Sequence, residues 1–309
     1  MESVLKSPTV VCNGNQATKA DEAKSQLVKP WLARMAMSEM TTIRWSLLDD
    51  VAHYRAEGIE ALSMWRRKVA DFGEERAVEL IRDSGLTVAS LSSAGGFTGH
   101  GGHSLRSAID DAREALRLAS NLQAGCLVVV AGSRAGHTQK HVRKLLRDAL
   151  VEVGDMAAQC NVPLALLPMH PLFAKGTSFL TSLDETLDVL HDCQHPFVGL
   201  AFDLYQLSLT PDLGSRVADA LPWIKTVQLS DARATPRSDN DRLPPGEGVL
   251  PVCEIIEQLE AGGYQGHYDL EIWSDDLWKQ DYVQVLQRCR DGFQRLAPIH
   301  GRQPLAAGA

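Results

Sequence analysis

Several stretches of this sequence are apolar at consecutive positions, with no alternation between apolar and polar residues. The clearest of them runs through residues 197–202, and Asp203 follows it directly. Three further stretches, residues 162–167, 223–228 and 267–271, are interpreted as strands of the same kind. Consecutive apolar positions are typical of strands that are buried on both faces, as in parallel sheets covered by helices. The pattern therefore predicts an α/β protein whose chemistry lies where these strands end.

Strand-like and amphipathic helix-like stretches alternate from about residue 32 to residue 296 and make eight strand–helix units. This count and this length are those of a single (β/α)8 TIM barrel, which is the fold class that we predict. The alternative is a doubly wound open sheet, but no G-x-G-x-x-G motif follows an early strand and there is no P-loop sequence. Ser46 is the predicted N-cap of the first helix.

The two ends of the chain lack this alternation. Residues 1–30 are polar and aperiodic, which predicts a disordered N-terminal extension. The barrel is expected to occupy residues 31–297, and residues 298–309 are expected to form a flexible C-terminal tail.

The charge balance narrows the choice of partners. Lys and Arg number 31 against 39 Asp and Glu, which gives a formal net charge of −8. No basic block offsets it, which argues against nucleic acid or an anionic membrane as a partner.

The six cysteines are scattered without a C-x-x-C pair, and neither an export signal nor a membrane-spanning apolar run is recognisable. We therefore expect a cytoplasmic protein, and leave open whether it forms a homo-oligomer.

Four residues at the ends of predicted strands are expected to face one common mouth: Leu167, Asp203, Gln228 and Glu271. Two carboxylates that share a site raise the pKa of one of them, so Asp203 and Glu271 would suit acid–base work without a metal. The alternative is a pair of structural carboxylates that only accept hydrogen bonds.

Two further side chains lie just beyond predicted strands. His170 is a candidate proton carrier or sugar-hydroxyl contact, and the alternative is an ordinary loop histidine. Trp65 is a candidate stacking surface for a sugar ring, and the alternative is packing at the barrel mouth.

The sequence resembles the xylose isomerase-like barrels of the sugar phosphate isomerase/epimerase superfamily, from about residue 32 to residue 296. The resemblance rests on residues 58–68, 92–97, 166–171, 202–206, 227–231, 242–249 and 270–273. The run after Gly58 and the Gly-Glu-Gly loop at residues 246–248 are the more specific of these stretches.

In that family a divalent metal is held by Glu, Asp, His and Glu side chains that end strands five to eight. The resemblance implies that Asp203 and Glu271 occupy two of these ligand positions. Leu167 and Gln228 stand where Glu and His are expected, and Gln206 stands where a His often follows the Asp. Leucine has no donor atom, and an amide oxygen is a poor replacement for imidazole. We therefore expect no tightly bound cofactor, or else a weakly bound divalent cation, Mg or Mn.

The resemblance implies a sugar or polyol isomerase or epimerase that moves a proton next to a carbonyl, on a substrate with or without phosphate. A related lyase or dehydratase belongs to the same class of chemistry. The expected catalytic residues are Glu271, Asp203 and His170. The expected substrate contacts are Trp65, Arg242, Gln228 and Gln206.

The alternative function is a non-catalytic barrel that binds a sugar-like ligand or a protein partner. Leu167, where the family has a carboxylate, favours this alternative. The presence of Asp203, Glu271, Arg242 and Trp65 favours the enzyme.

Overall fold

Eight parallel strands close into one barrel in a computed structural model, which describes residues 31–99 and 104–298. The barrel strands are β1 Met35–Ser38, β2 Ala61–Trp65, β3 Thr87–Gly95, β4 Leu127–Val130, β5 Leu164–Leu167, β6 Val198–Asp203, β7 Ile224–Leu229 and β10 Tyr268–Leu270. Their order around the barrel is β1-β10-β7-β6-β5-β4-β3-β2. The single (β/α)8 TIM barrel predicted from the sequence is confirmed. The predicted extension at residues 1–30 and the tail beyond residue 298 lie outside the described residues.

Helices cover the outside of the barrel. Within the described residues they are α1 Leu47–Ala56, α2 Arg66–Phe72, α3 Glu74–Ser84, α4 Leu105–Asn121, α5 Gln139–Cys160, α6 Leu183–Cys193, α7 Leu213–Ala220, α8 Val252–Ala261 and α9 Tyr282–Arg295. None of the helices in this described part is both long and apolar enough to cross a membrane.

Local signals explain where several helices begin and end. Ser46 caps α1 as predicted: its side chain accepts a hydrogen bond from the Asp49 amide, and the Asp49 carboxylate accepts one from the Ser46 amide. The sequence suggested one helix over residues 71–84, but the structure has two. Gly73, with a φ of 98°, separates α2 from α3, because this backbone conformation is open to glycine and breaks the helical path.

The first and last strands join through an aromatic cluster. Met35 of β1 pairs with Tyr268 of β10, and Trp31 packs next to both elements. The Trp31 indole stacks on Phe293 of α9 with ring centroids 4.5 Å apart, and its Nε1 donates to the Phe293 carbonyl over 2.8 Å. Together with Arg34, whose Nη1 lies 2.5 Å from a Glu260 carboxylate oxygen, this cluster holds the barrel closed.

The interior of the barrel contains a buried acid. Asp269 of β10 lies opposite Gln228 of β7 and is completely buried. Ser63 of β2 is also buried, with 3% of its surface exposed. The Ser63 hydroxyl and the Gln228 amide favour the ionised form of Asp269, yet neither completes a hydrogen bond of good geometry to its carboxylate oxygens. Burial, followed by the charge of Glu271, raises the pKa of Asp269 well above its usual range.

A short antiparallel hairpin follows β7 on the mouth side of the barrel. The short strands β8 Asp231–Ala232 and β9 Arg242–Leu243 pair antiparallel. The Asp231 carboxylate accepts backbone hydrogen bonds from Ala232, Gly246, Gly248 and Leu250. A Cβ at Gly248 would lie 2.2 Å from the Ala232 carbonyl oxygen, so only glycine fits this approach. Asp231 thereby fixes the Gly-Glu-Gly turn against the strand that carries Arg242.

We expect Asp231→Ala to lower the free energy of unfolding by about 2 kcal/mol, because one buried and three partly buried amides would lose their common acceptor. Urea denaturation of both proteins measures the difference. Asp83→Ala is the control, since Asp83 is 70% exposed and forms an ion pair with its equally exposed neighbour Arg82. It should change the free energy of unfolding by less than about 0.5 kcal/mol. Equal effects of the two substitutions would contradict the anchoring role.

Asp269→Asn should become more stabilising, relative to the wild type, as the pH rises. The fold favours the neutral acid, whereas an unfolded Asp titrates near about 3.9, so the wild type loses stability from about pH 4 upward. Asparagine does not titrate and escapes this loss. The measurement is the free energy of unfolding of both proteins between pH 4 and pH 8. A difference that does not change with pH would show that Asp269 is ionised in the fold.

Candidate active site

The ends of β6, β7 and β10 bring three of the predicted site residues together. The Gln228 amide nitrogen lies 2.5 Å from Oε2 of Glu271, and the Ser38 hydroxyl lies 3.5 Å from the same oxygen. Arg242 Nη1 lies 2.9 Å from Oδ2 of Asp203 and 3.3 Å from the main-chain carbonyl of Glu271. The mouth therefore contains two buried carboxyl groups, an amide and a guanidinium in one connected cluster.

Asp203 is held by the turn that follows its own strand. Its Oδ1 accepts hydrogen bonds from the backbone amides of Tyr205 at 2.8 Å and Gln206 at 3.1 Å. Its Oδ2 accepts a hydrogen bond from Nη1 of Arg242. Burial raises the pKa of Asp203, and the Arg242 guanidinium opposes that effect. Both oxygens thus have close partners within the protein.

Arg242 is the cation of this cluster, and its side chain is only 2% exposed. Its guanidinium lies 4.8 Å from the centroid of the Tyr205 ring and 5.7 Å from that of the Trp273 ring. Burial opposes its charge, but Asp203, Asp239 and Glu271 outweigh burial and raise the pKa of Arg242. Within residues 31–99 and 104–298, its Nε has no hydrogen-bond acceptor. The mouth thus holds a permanently charged group.

Glu271 is a carboxyl group of this cluster whose pKa lies near neutral pH. Burial raises its pKa to about 7, since the lowering effect of Arg242 only partly offsets burial and Asp203 raises it further. A carboxyl group with this pKa is available both as acid and as base at the pH of most cells.

His170 and Gln206 form a second layer next to Arg242. The Gln206 side-chain oxygen accepts from the His170 amide over 2.5 Å, and its Nε2 donates to Asp239 over 3.2 Å. The His170 ring stacks on Phe173, and its Nδ1 accepts from the Leu172 amide. Its buried Nε2 has no partner among the residues that the structure describes. Burial lowers the pKa of His170, which favours the neutral imidazole.

Leu167 forms part of an apolar wall. It is 8% exposed and packs in a cluster with Cys126, Val128, Ala165, Met169, Ala174 and Ala201. The strand position at which the family has a carboxylate is therefore filled here by a hydrocarbon side chain among other apolar groups.

Trp65 ends β2 and contacts a different set of residues. Its amide donates to Glu39 over 2.6 Å, and its ring faces the guanidinium of Arg67 at 5.7 Å. Its side chain lines a cleft of about 520 Å³ together with Trp45 and Phe72. The contacts described for Trp65 do not include the carboxyl cluster, so its role in holding a sugar stays a prediction.

The residues at the mouth do not fit the divalent metal that the family resemblance implies. Leu167 has no donor atom, and both oxygens of Asp203 already have partners. Gln228 directs its amide nitrogen, not its oxygen, at Glu271. Among the residues that the structure describes, no group of three or more His, Cys, Asp or Glu side chains is arranged to hold a metal ion.

Sequence reasoning missed three participants. Asp239 lies 3.7 Å from Arg242 Nη2, Ser38 contacts Glu271, and Asp269 lies in the interior next to Gln228. The position of Ser38 at the end of the first strand was a usable signal. The Asp two residues before Glu271 was another, because both side chains point to the same face of their strand.

A family model described as the xylose isomerase-like TIM barrel matches residues 48–292 of this chain. L-ribulose-5-phosphate 3-epimerase UlaE of Escherichia coli (strain K12) is 29% identical over 151 residues, 48% of this chain and 49% of that protein. The chain thus matches about half the length of these curated relatives.

Two solved structures show the same architecture. Protein SMc04130 of Sinorhizobium meliloti 1021 is 28% identical, with a TM-score of 0.81 over 86% of this chain and 99% of its own. The IOLI protein, determined with a zinc atom, is 16% identical, with a TM-score of 0.75 over 85% of this chain and 97% of its own, and shares the fold. The family match covers most of the barrel from its first helix to its last. The chain belongs to the xylose isomerase-like TIM barrel family.

Proposed function

We propose that this barrel catalyses proton transfer next to the carbonyl of a small sugar or polyol-derived substrate, with Glu271 as the general base. The carrying observation is the buried Glu271 carboxyl with a pKa of about 7, held by Gln228 at the mouth. The pKa of this base lies near the operating pH, and the hydrogen bond from Gln228 fixes the orientation of its carboxylate. Both are conditions for efficient proton abstraction.

The neighbouring groups support the same chemistry. Arg242 offers a charged donor for a carbonyl oxygen that gains negative charge, and Asp203 positions Arg242. The neutral His170 has a free Nε2 and suits a hydroxyl contact or a second proton carrier. UlaE, the epimerase that matches half of this chain, makes a sugar phosphate one natural candidate substrate.

One observation favours a different function, a non-catalytic barrel that binds a sugar-like ligand. Leu167 removes one of the two proton-moving carboxylates that the family resemblance implies, and Asp203 has no unpartnered oxygen. A ligand-binding barrel would need the shape of the mouth but not the reactivity of Glu271.

Glu271→Gln should lower kcat by about 10² to 10⁴-fold, because the amide cannot accept a proton, while ligand-induced thermal shifts persist. The substrates are a panel of aldoses, ketoses, inososes and their phosphates. The measurement is proton NMR in D2O, which follows the exchange of the C–H next to the carbonyl.

Glu39→Gln is the matched control for this experiment. Glu39 is also a fully buried glutamate just after a barrel strand, and burial raises its pKa to about 8, but it contacts the Trp65 amide instead of the cluster. Turnover should survive Glu39→Gln. Thermal shifts without any exchange in the wild type would instead support the binding barrel.

The pH dependence of kcat/KM should show a rising limb through about pH 7. The base must be ionised, so activity falls about tenfold per pH unit below the pKa and levels off above it. Since Arg242 lowers the pKa of Glu271, Arg242→Gln should move this limb to higher pH. A limb that stays in place in that variant would argue that another group is the base.

A further inference from the structure

We propose that the Arg242 guanidinium is the resident cation of this mouth and supplies, as part of the chain, the positive charge that a divalent metal supplies in related barrels. The reaction assigned to the mouth rests on the function proposed above. The presence of a built-in cation does not depend on that function, because binding and stability measurements test it without any measurement of activity.

The position of the guanidinium is the first support. Its Nη1 lies 2.9 Å from Asp203 Oδ2 and 4.0 Å from Glu271 Oε1, so one cationic group is shared by both carboxyl groups. Its Nη2 lies 3.7 Å from Asp239. These are the two carboxylates that the family resemblance assigns to a metal.

The fold fixes this cation in place. The Arg242 amide donates to the Trp273 carbonyl over 2.9 Å, and Arg242 pairs with Ala232 across the β8–β9 hairpin. The rings of Tyr205 and Trp273 flank the guanidinium. A buried charge is costly unless it is paired, and removing either partner leaves the other uncompensated. Arg242 and Asp203 are thus a mutually dependent pair.

A metal ion would have to compete with this pair. Asp203 has no oxygen free of a close partner, because the Tyr205 and Gln206 amides take Oδ1 and Arg242 takes Oδ2. A divalent ion that used Asp203 would displace the guanidinium and leave it buried without its closest partner. Leu167 and Gln228 act in the same direction, because a hydrocarbon and a neutral amide leave less negative charge to attract a dication.

The built-in cation has a defined chemical task. When the C–H bond of the hydroxyl-bearing carbon next to the carbonyl breaks, the proton goes to the Glu271 carboxylate. The C–H electron pair forms the new C=C bond, and the π pair of the C=O bond moves onto the carbonyl oxygen to give an enediolate. The guanidinium next to this carboxylate stabilises that charge through its own positive charge, which Asp203 holds in place.

The first experiment compares the wild type with Arg242→Gln in melting curves and calorimetric titrations with MnCl2. The wild type should show no stoichiometric heat and no metal-dependent change in Tm. Arg242→Gln should melt roughly 3 °C or more below the wild type, and millimolar MnCl2 should restore part of this loss, since the ion then binds only the folded state. Adding Asp203→Asn to Arg242→Gln should abolish the restoration by metal.

Arg237→Gln is the matched control. Arg237 is in the same loop and pairs with Asp241 and Asp276, but its side chain is 58% exposed. Its removal should not create any response to MnCl2. A metal response as large as that of Arg242→Gln would show that any lost arginine has this effect, and would overturn the proposal.

The second experiment includes an arm that does not need Arg242→Gln to fold, namely the binding of Mn2+ by a double variant that keeps Arg242. The double variant Leu167→Glu/Gln228→His restores the donor types of the family set while keeping Arg242. With Arg242 in place it should still bind Mn2+ poorly, and adding Arg242→Gln should tighten binding by about tenfold or more. Tight stoichiometric binding of Mn2+ by the wild type, or by the double variant with Arg242 present, would overturn the proposal whatever the reaction proves to be.

Discussion

The closure of the barrel is the constraint on which the rest of this structure depends. The pairing of β1 with β10 closes the sheet into a barrel. Since all eight barrel strands run parallel, their carboxyl ends then meet at one rim. Residues that are far apart in sequence, such as Ser38 and Glu271, therefore come within hydrogen-bonding reach. The aromatic cluster of Trp31, Tyr268 and Phe293 stabilises this closure from outside the barrel, and so contributes indirectly to the geometry of the mouth.

The mouth combines groups that would be costly to bury singly. Asp203, Arg242 and Glu271 compensate one another, while Gln228 connects the cluster to the interior layer that contains Asp269. Such a network is stable only when its members are present together, because removing one leaves an uncompensated polar group. Burial in this network, only partly offset by Arg242, raises the pKa of Glu271 to about 7, so the arrangement that holds the mouth together also sets the protonation of Glu271.

The sequence predicted the elements of this fold better than it predicted their connections. The apolar runs that became β5 and β6 are long and uninterrupted, so they indicated buried strands without ambiguity. The break at Gly73 was missed because both flanking segments are good helix formers. The pairing of Arg242 with Asp203 could not be predicted from the sequence, because the two residues are 39 positions apart and the β8–β9 hairpin brings them together. Local patterns do not encode such long-range electrostatics.

The apolar wall around Leu167 bears on stereochemistry. Inverting a carbon centre through an enediolate commonly needs a proton removed from one face and another delivered to the opposite face. Here β5 contributes a hydrocarbon side chain to the mouth, whereas Glu271 extends from β10. On the proposed assignment, transfer between adjacent carbons on one face needs Glu271 alone, as in aldose–ketose interconversion. Inversion at a single centre needs a second proton carrier, and His170, which follows β5, is the candidate proposed above for that role.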